Sequence, residues 1–137
     1  MTDLQAKVQA AAGELVAAGT ETGLQVAVLI PTYDEPAEVI APTIAAACAL
    51  EPAHQTWVLD DGSRPWVEEM CRAFGARYVS REVHDHAKAG NMNHALDLME
   101  REEAQGAAPI DIIAVLDCDH VPLTNFLTST LGWFEDP

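Results

Sequence analysis

The sequence predicts an α/β fold in which a parallel sheet carries helices on both faces. Short apolar runs alternate along the chain with longer stretches of helical periodicity, and polar clusters follow the apolar runs. Such alternation is typical of βαβ units, whose strands are parallel. Because ligands bind these sheets beyond the carboxyl ends of the strands, we expect the polar clusters to form one site.

The size and charge of the chain limit the classes of function. Its 137 residues are 49% apolar, which suits one domain with a core, and its net charge is −15. An acidic surface repels phosphate backbones, so a nucleic-acid partner is not expected. No apolar run reaches the roughly 18 residues needed to span a bilayer. The chain is therefore expected to be soluble, and three cysteines without disulfide or zinc spacing indicate a reducing, cytoplasmic setting.

Each element follows from a local pattern. Residues 1–23 are predicted to form an amphipathic helix over 3–18 and a lead-in, and residues 24–137 to form the α/β unit. Short apolar runs predict buried strands over 25–30, 56–59, 76–80 and 110–116. Stretches of helical character lie over 38–50, 65–74, 91–104 and 123–134.

The first two strands end in polar loops. After the first comes Pro31-Thr32-Tyr33-Asp34-Glu35-Pro36, a loop restricted by its two prolines, in which Tyr33 offers a flat face for stacking on a base. The alternative is a rigid turn with Tyr33 packed. After the second comes Asp60-Asp61-Gly62, whose carboxylates can accept hydrogen bonds from a base or ribose. An ordinary Asp-Gly turn is the alternative there.

The segment from His84 to Asn91 concentrates positive charge in this acidic chain. Lys88 is suited to neutralise a diphosphate, and Gly90 and Asn91 open the predicted helix, where backbone N–H groups favour anions. A zinc site at His84 and His86 and a solvated loop with a helix cap are the alternatives.

Asp117-Cys118-Asp119 follows the fourth predicted strand. In an extended segment both carboxylates face one side and Cys118 faces the core. Paired carboxylates favour Mg²⁺ or Mn²⁺, which also bridges to a diphosphate. The alternative is that Asp119 or Thr124 caps the next helix. The tryptophans Trp57 and Trp66 and the Trp133-Phe134 pair are interpreted as packing residues.

Four strings, PTYDEP, DDG, HAKAGNMNHAL and DCDHVP, in this order and spacing resemble family-2 glycosyltransferases. They are most similar to the bacterial cellulose synthase catalytic subunits, and the resemblance covers about residues 25–137. It implies a Rossmann-like GT-A fold, a UDP-sugar donor (UDP-glucose), Mg²⁺ or Mn²⁺, and inverting transfer to a growing β-glucan.

The resemblance also assigns residues. The implied nucleotide-sugar contacts are Thr32, Tyr33, Glu35, Asp60, Asp61, Lys88 and Asp117. The implied metal ligands are Asp119 and Asp117, and His120 lines the same edge.

The family pattern is followed only in part. Asp34 stands where the family usually has Asn, which adds acid to the site. The Thr-Glu-Asp segment with the catalytic base, the Gln-x-x-Arg-Trp segment and the membrane helices are expected after Pro137.

The sequence therefore predicts a truncated nucleotide-sugar-binding half with no catalytic residue of its own, inactive alone and prone to self-association. The complete protein is expected in the bacterial inner membrane with this part on the cytoplasmic face. A nucleotide-binding or assembly module without catalysis, or a synthase of another β-glycan, are the alternatives.

Overall fold

The structure, a computed structural model, describes the backbone of residues 24–135 and the side chains of residues 24–131. The helix predicted over 3–18 and the side chains of Trp133 and Phe134 lie outside the described residues. Within residues 24–135, no helix has both the length and the apolar character needed to cross a bilayer.

Strands and helices alternate throughout the described chain. The strands are β1 (Val26–Thr32), β2 (Gln55–Asp60), β3 (Arg77–Val79) and β4 (Ile112–Val115). The helices are α1 (Ala37–Cys48), α2 (Pro65–Phe74), α3 (Ala87–Ala104) and α4 (Phe126–Glu135). The predicted bounds of α2 are confirmed, and the third helix begins four residues earlier than the predicted start at 91.

The sheet has the order β3-β2-β1-β4 and all of its pairings are parallel. β1 lies inside the sheet and is buried along its whole length, which explains its unbroken apolar run. Thr32, the last residue of β1, pairs with Asp60, the last residue of β2. The carboxyl ends of these strands therefore meet at one edge, and the predicted fold class is confirmed.

Helices cover both faces of the sheet. Val28 and Ile30 point into the core beneath α1, α2 and α4, whereas Ala27 and Leu29 point toward α3. This division follows from the two-residue period of a strand. Trp57 packs in the core beneath α3, as predicted.

Trp66, interpreted from the sequence as a packing residue, lies partly at the surface. It is 40% exposed, because α2 buries the opposite positions Val67 and Cys71. The guanidinium of Arg64 stacks over its ring at 4.9 Å from the centroid.

Truncation of an isoleucine tests how much the central strand contributes to stability. Ile30 is fully buried, and Ile30→Ala should lower the free energy of unfolding by about 2–5 kcal/mol, through lost apolar burial and the cavity left behind. Ile113 is 41% exposed on the edge strand β4, and the matched change Ile113→Ala should cost about 0.5 kcal/mol. Chemical denaturation followed by circular dichroism measures both. Equal losses would contradict the described difference in burial between these two side chains.

Candidate functional site

A cavity of about 340 Å³ opens at the carboxyl-terminal edge of the sheet. Its lining comes from the end of β1 and its loop, the residue after β2, the segment before α3 and the start of α3: Pro31, Thr32, Tyr33, Glu35, Asp61, His84, Ala87, Lys88 and Asn91. The structure thus brings together the predicted residues Thr32, Tyr33, Glu35, Asp61 and Lys88. Asp60 and Asp117 do not line the cavity.

The loop after β1 forms one wall through contacts within itself. Thr32 Oγ1 donates a hydrogen bond of 2.6 Å to Glu35 Oε1, and the Tyr33 backbone N–H donates one of 2.9 Å to the same oxygen. Burial alone would raise the pKa of Glu35, but these hydrogen bonds prevail and lower it. The side chain of Tyr33 is 60% exposed, so the alternative in which Tyr33 packs is wrong. The wall therefore presents an ionised carboxylate and an uncovered aromatic ring.

Asp60 lies behind this wall and is fully buried. Its carboxylate accepts hydrogen bonds from Gly62 N–H at 2.9 Å, from Tyr78 Oη at 2.9 Å and from the Arg64 backbone N–H at 2.7 Å. The Arg64 guanidinium pairs with it at 3.0 Å. Because both oxygens of this buried carboxylate already accept hydrogen bonds and none of its surface is exposed, the geometry favours a positioning role for Asp60 over the direct nucleotide contact predicted from the sequence.

Arg64 connects Asp60 to the residues that line the cavity. Its guanidinium also donates to the backbone oxygen of Glu35 at 2.6 Å and to Thr32 Oγ1 at 2.9 Å. The approach of the two loops is so close that a Cβ on Gly62 would lie 2.2 Å from the Tyr33 carbonyl oxygen. Sequence reasoning missed Arg64. The signal was a basic residue four positions after a strand-end aspartate.

Asp61, in contrast, reaches the cavity lining and is held by Arg81. The guanidinium donates to both carboxylate oxygens at 2.8 and 2.9 Å, and both side chains are 8% exposed. Bidentate arginine–carboxylate pairs of this kind fix orientation as well as charge. Sequence reasoning also missed Arg81, although it lies two residues after the end of β3 in a chain with few basic residues.

The start of α3 differs from the prediction. The helix begins at Ala87, so Gly90 and Asn91 lie inside it and not at its N-terminal end. Asn91 instead donates from Nδ2 to the Leu59 carbonyl at 2.8 Å, which fastens α3 to the end of β2. Lys88 stands in the first turn, and its Nζ donates to Asp117 Oδ1 at 2.7 Å.

Asp117, Asp119 and His120 form an exposed turn after β4. One ligand atom from each lies within 4.8 Å of the others, and no other group of three His, Cys, Asp or Glu side chains in the described part of the chain comes so close. Two carboxylates and an imidazole are a donor set that fits Mn²⁺ or Mg²⁺. The hydrogen bond and charge of Lys88 lower the pKa of Asp117. Cys118 is 8% exposed and faces the core, as predicted.

Two alternatives for these segments lose support. Helix α4 begins at Phe126, so neither Asp119 nor Thr124 immediately precedes its first turn, and the capping interpretation is wrong. His84 directs Nε2 to the Arg81 carbonyl at 2.7 Å. Within residues 24–131, neither His84 nor His86 belongs to a group of three side chains able to hold a metal ion.

Comparison with known proteins identifies a family. The model of glycosyl transferase family 2 matches residues 27–137. The chain is 42% identical over 114 residues to the cellulose synthase catalytic subunit (UDP-forming) of Pseudomonas fluorescens. This match covers 80% of this chain and 14% of that protein. It is 37% identical over 114 residues to cellulose synthase 2 of Novacetimonas hansenii, covering 80% and 7% respectively. The chain thus spans a small part of the length of these relatives.

Solved structures resemble the fold. S. aureus TarS matches with a TM-score of 0.51 and 16% identity, covering 70% of this chain and 17% of that one. A CMP:2-keto-3-deoxy-manno-octonic acid synthetase in complex with CTP matches with a TM-score of 0.54 and 20% identity, covering 82% and 48%. At these identities the likeness concerns the fold alone.

Removal of the charge on Asp60 tests its positioning role. Asp60→Asn should lower the free energy of unfolding by about 3 kcal/mol, because Arg64 then remains largely buried without a counter-charge. The matched change Asp97→Asn, at an exposed position on α3, should cost about 0.5 kcal/mol or less. Urea denaturation of both variants makes the comparison. Unchanged stability in Asp60→Asn would mean that the carboxylate does not hold the loop.

Proposed function

Because the chain belongs to glycosyl transferase family 2, we propose that it binds the UDP-sugar donor of a cellulose synthase-like β-glycan synthase. The donor is UDP-glucose, and its nucleotide occupies the cavity at the sheet edge. One observation carries the proposal: the cavity lining adjoins the turn of Asp117, Asp119 and His120, since Lys88 of the lining contacts Asp117 at 2.7 Å. The cavity, Lys88 and the turn after β4 thus follow one another in the order in which a nucleobase, a diphosphate and its cation would need them.

The uridine belongs at the end of the cavity formed by β1 and β2. Tyr33 offers its uncovered ring for stacking on the base, a contact that does not depend on exact polar geometry. Asp61 retains acceptor capacity beside its two bonds from Arg81, because a carboxylate has about four lone-pair sites. Thr32 and Glu35 complete this wall. Asp60 acts at a distance, through Arg64.

The diphosphate belongs at the end formed by α3 and the turn after β4. Lys88 provides the cation of the cavity lining, and it must leave Asp117 in order to reach a phosphate. Both side chains are about half exposed, at 55% and 52%, so this exchange requires little desolvation. The freed Asp117, with Asp119 and His120, would hold Mg²⁺ or Mn²⁺. The metal, when bound, stabilises the charge of the leaving diphosphate.

Transfer in the complete protein needs a base near the acceptor hydroxyl, and none of the site carboxylates is free for that task. Asp60 is enclosed, Asp61 is paired with Arg81, and Asp117 and Asp119 are assigned to the metal. Glu35, the remaining carboxylate of the lining, accepts hydrogen bonds from Thr32 Oγ1 and from the Tyr33 backbone N–H. We therefore place the base, the acceptor site for the growing glucan and the membrane segments of the complete inner-membrane protein outside this chain. A nucleotide-binding module without catalysis is the second candidate, favoured by this lack of a free carboxylate.

Metal removal tests the donor site. UDP should bind this chain in Mg²⁺ or Mn²⁺ and not in EDTA, because a diphosphate otherwise meets the carboxylates of a chain with net charge −15. Asp119→Asn should weaken metal-dependent binding by about tenfold or more while leaving the unfolding free energy nearly unchanged, since Asp119 is exposed. Titration calorimetry and thermal melts on the same samples give both quantities.

The control for that experiment is Asp97→Asn, which removes the same charge from an exposed position on α3. It should bind UDP as the unchanged chain does. Equal UDP affinity in EDTA and in Mn²⁺ would refute the role of the metal. Equal losses of UDP affinity in Asp119→Asn and Asp97→Asn would show that Asp119 acts only through the net charge of the chain.

A second experiment separates donor binding from transfer. With Mn²⁺, UDP-glucose and a cello-oligosaccharide, the chain should release no UDP above the metal-only blank, because base assistance is typically worth about 10² to 10⁴ in rate. Labelled glucan and free UDP are both measured. Rapid glucan synthesis would show that a carboxylate of this chain is the base, with Asp34, Glu35 and Asp85 the residues to substitute next.

A further inference from the structure

The turn that leads into α3 is held in an unfavourable backbone conformation. His86 has φ 62° and Ala87 has φ 47°, and neither residue is glycine. Side chains with a Cβ rarely adopt this left-handed region, so the surrounding structure must impose it. Lys88 comes directly after Ala87, and the direction of its side chain therefore depends on the turn.

Arg81 supplies the contacts that impose this conformation. Besides its pair with Asp61, its guanidinium donates to the Asp85 carbonyl at 2.9 Å and to the Ala87 carbonyl at 2.9 Å. These carbonyls flank the left-handed residues on either side. One planar group thus fixes both ends of the turn.

Gly90 shows how tightly the turn folds back on the helix. A Cβ at this position would lie 1.9 Å from the Asp85 carbonyl oxygen and 2.7 Å from Arg81 Nη1. The absence of a side chain at Gly90 is therefore a condition for the Arg81 contacts. The two features act together, and neither Arg81 nor Gly90 lines the cavity.

Arg81 consequently joins the two ends of the proposed donor site without lining it. Through Asp61 it contacts the end proposed for uridine, and through the Asp85 and Ala87 carbonyls it contacts the base of Lys88. Both members of the Arg81–Asp61 pair are 8% exposed, so solvent competes little for these hydrogen bonds.

We propose that Arg81 is a positioning residue for the diphosphate: anchored on Asp61, it fixes the turn at 85–87 and so directs Lys88 toward the phosphates. This inference rests on the proposed donor site and assigns to it a residue outside its lining. It requires that the loss of Arg81 harm diphosphate recognition through Lys88, and not only through Asp61.

The ratio of uridine Kd to UDP Kd isolates the diphosphate contribution, because effects on the base and ribose cancel. With Mn²⁺ present, Lys88→Met should lower this ratio about tenfold, the size of one charge-assisted hydrogen bond. Arg81→Met should lower the ratio to a similar extent. Arg81→Lys should do the same, because an ammonium retains a charge beside Asp61 but lacks the planar fork that spans the two carbonyls.

Arg77→Met is the matched control. Arg77 lies on β3 and makes its own two-bond pair with Glu102, so the variant loses an arginine–carboxylate pair and the same charge away from the cavity. Its ratio of uridine Kd to UDP Kd should equal that of the unchanged chain. Circular dichroism confirms the folded state of each variant, and Arg81→Lys carries the test if Arg81→Met does not fold.

A double-mutant cycle decides whether Arg81 acts through Lys88. In the Lys88→Met background, replacing Arg81 by Lys should leave the ratio unchanged within about twofold. If Arg81 acts through Lys88, the effects of the two substitutions are not additive. Independent, multiplicative losses would overturn the proposal, as would a fall in uridine and UDP affinity by the same factor in Arg81→Lys. Failure of the unchanged chain to bind UDP would instead refute the proposed donor site itself, so the two failures are distinguishable.

Discussion

The site depends on the burial of two adjacent carboxylates at the end of β2. Asp60 is fully buried and Asp61 nearly so, and burial of a carboxylate is costly unless a counter-charge or hydrogen-bond donors accompany it. Asp60 pairs with Arg64, and Asp61 pairs with Arg81 from a different segment of the chain. Arg64 then binds the Glu35 carbonyl in the loop after β1, and Arg81 binds the carbonyls of Asp85 and Ala87 before and at the start of α3. The need to compensate two buried carboxylates therefore sets the positions of both cavity walls.

The two ends of the cavity differ in their freedom to move. The wall after β1 is fixed by the Arg64 contacts to Thr32 and to the Glu35 backbone, behind which Asp60 is closed from solvent. The Lys88–Asp117 pair and the turn after β4 are exposed, and exposed ion pairs contribute little to stability. A donor would therefore meet a preformed surface for its base and an adaptable one for its phosphates. Such a division suits a ligand whose charged end arrives together with a metal.

The sequence predicted what depends on local pattern and failed where distant residues meet. Apolar runs and the polar clusters behind them were enough to predict the parallel sheet, the shared edge and the bounds of α2. The start of α3 was misplaced, because Gly90 suggested a helix boundary whereas the actual turn lies at His86 and Ala87, residues that seldom adopt left-handed φ. Arg64 and Arg81 were missed since their importance comes from partners that only the fold brings near. For Asp60 the difficulty was different. Asp60 and Asp61 are neighbours in one motif, and the sequence could not distinguish the fully buried carboxylate from the one that lines the cavity.

The distribution of positive charge explains why an acidic chain would need a metal at this edge. The chain has 7 Lys and Arg against 22 Asp and Glu, and three of the basic residues, Arg64, Arg81 and Lys88, gather here. Arg64 and Arg81 are committed to Asp60 and Asp61 and add no net charge to the cavity. Within the lining that the structure describes, Lys88 is the one permanent cation, and it too is paired, with Asp117. When a diphosphate takes Lys88, Asp117 loses its partner, and Asp119 and His120 beside it supply the donors with which a metal cation would replace Lys88.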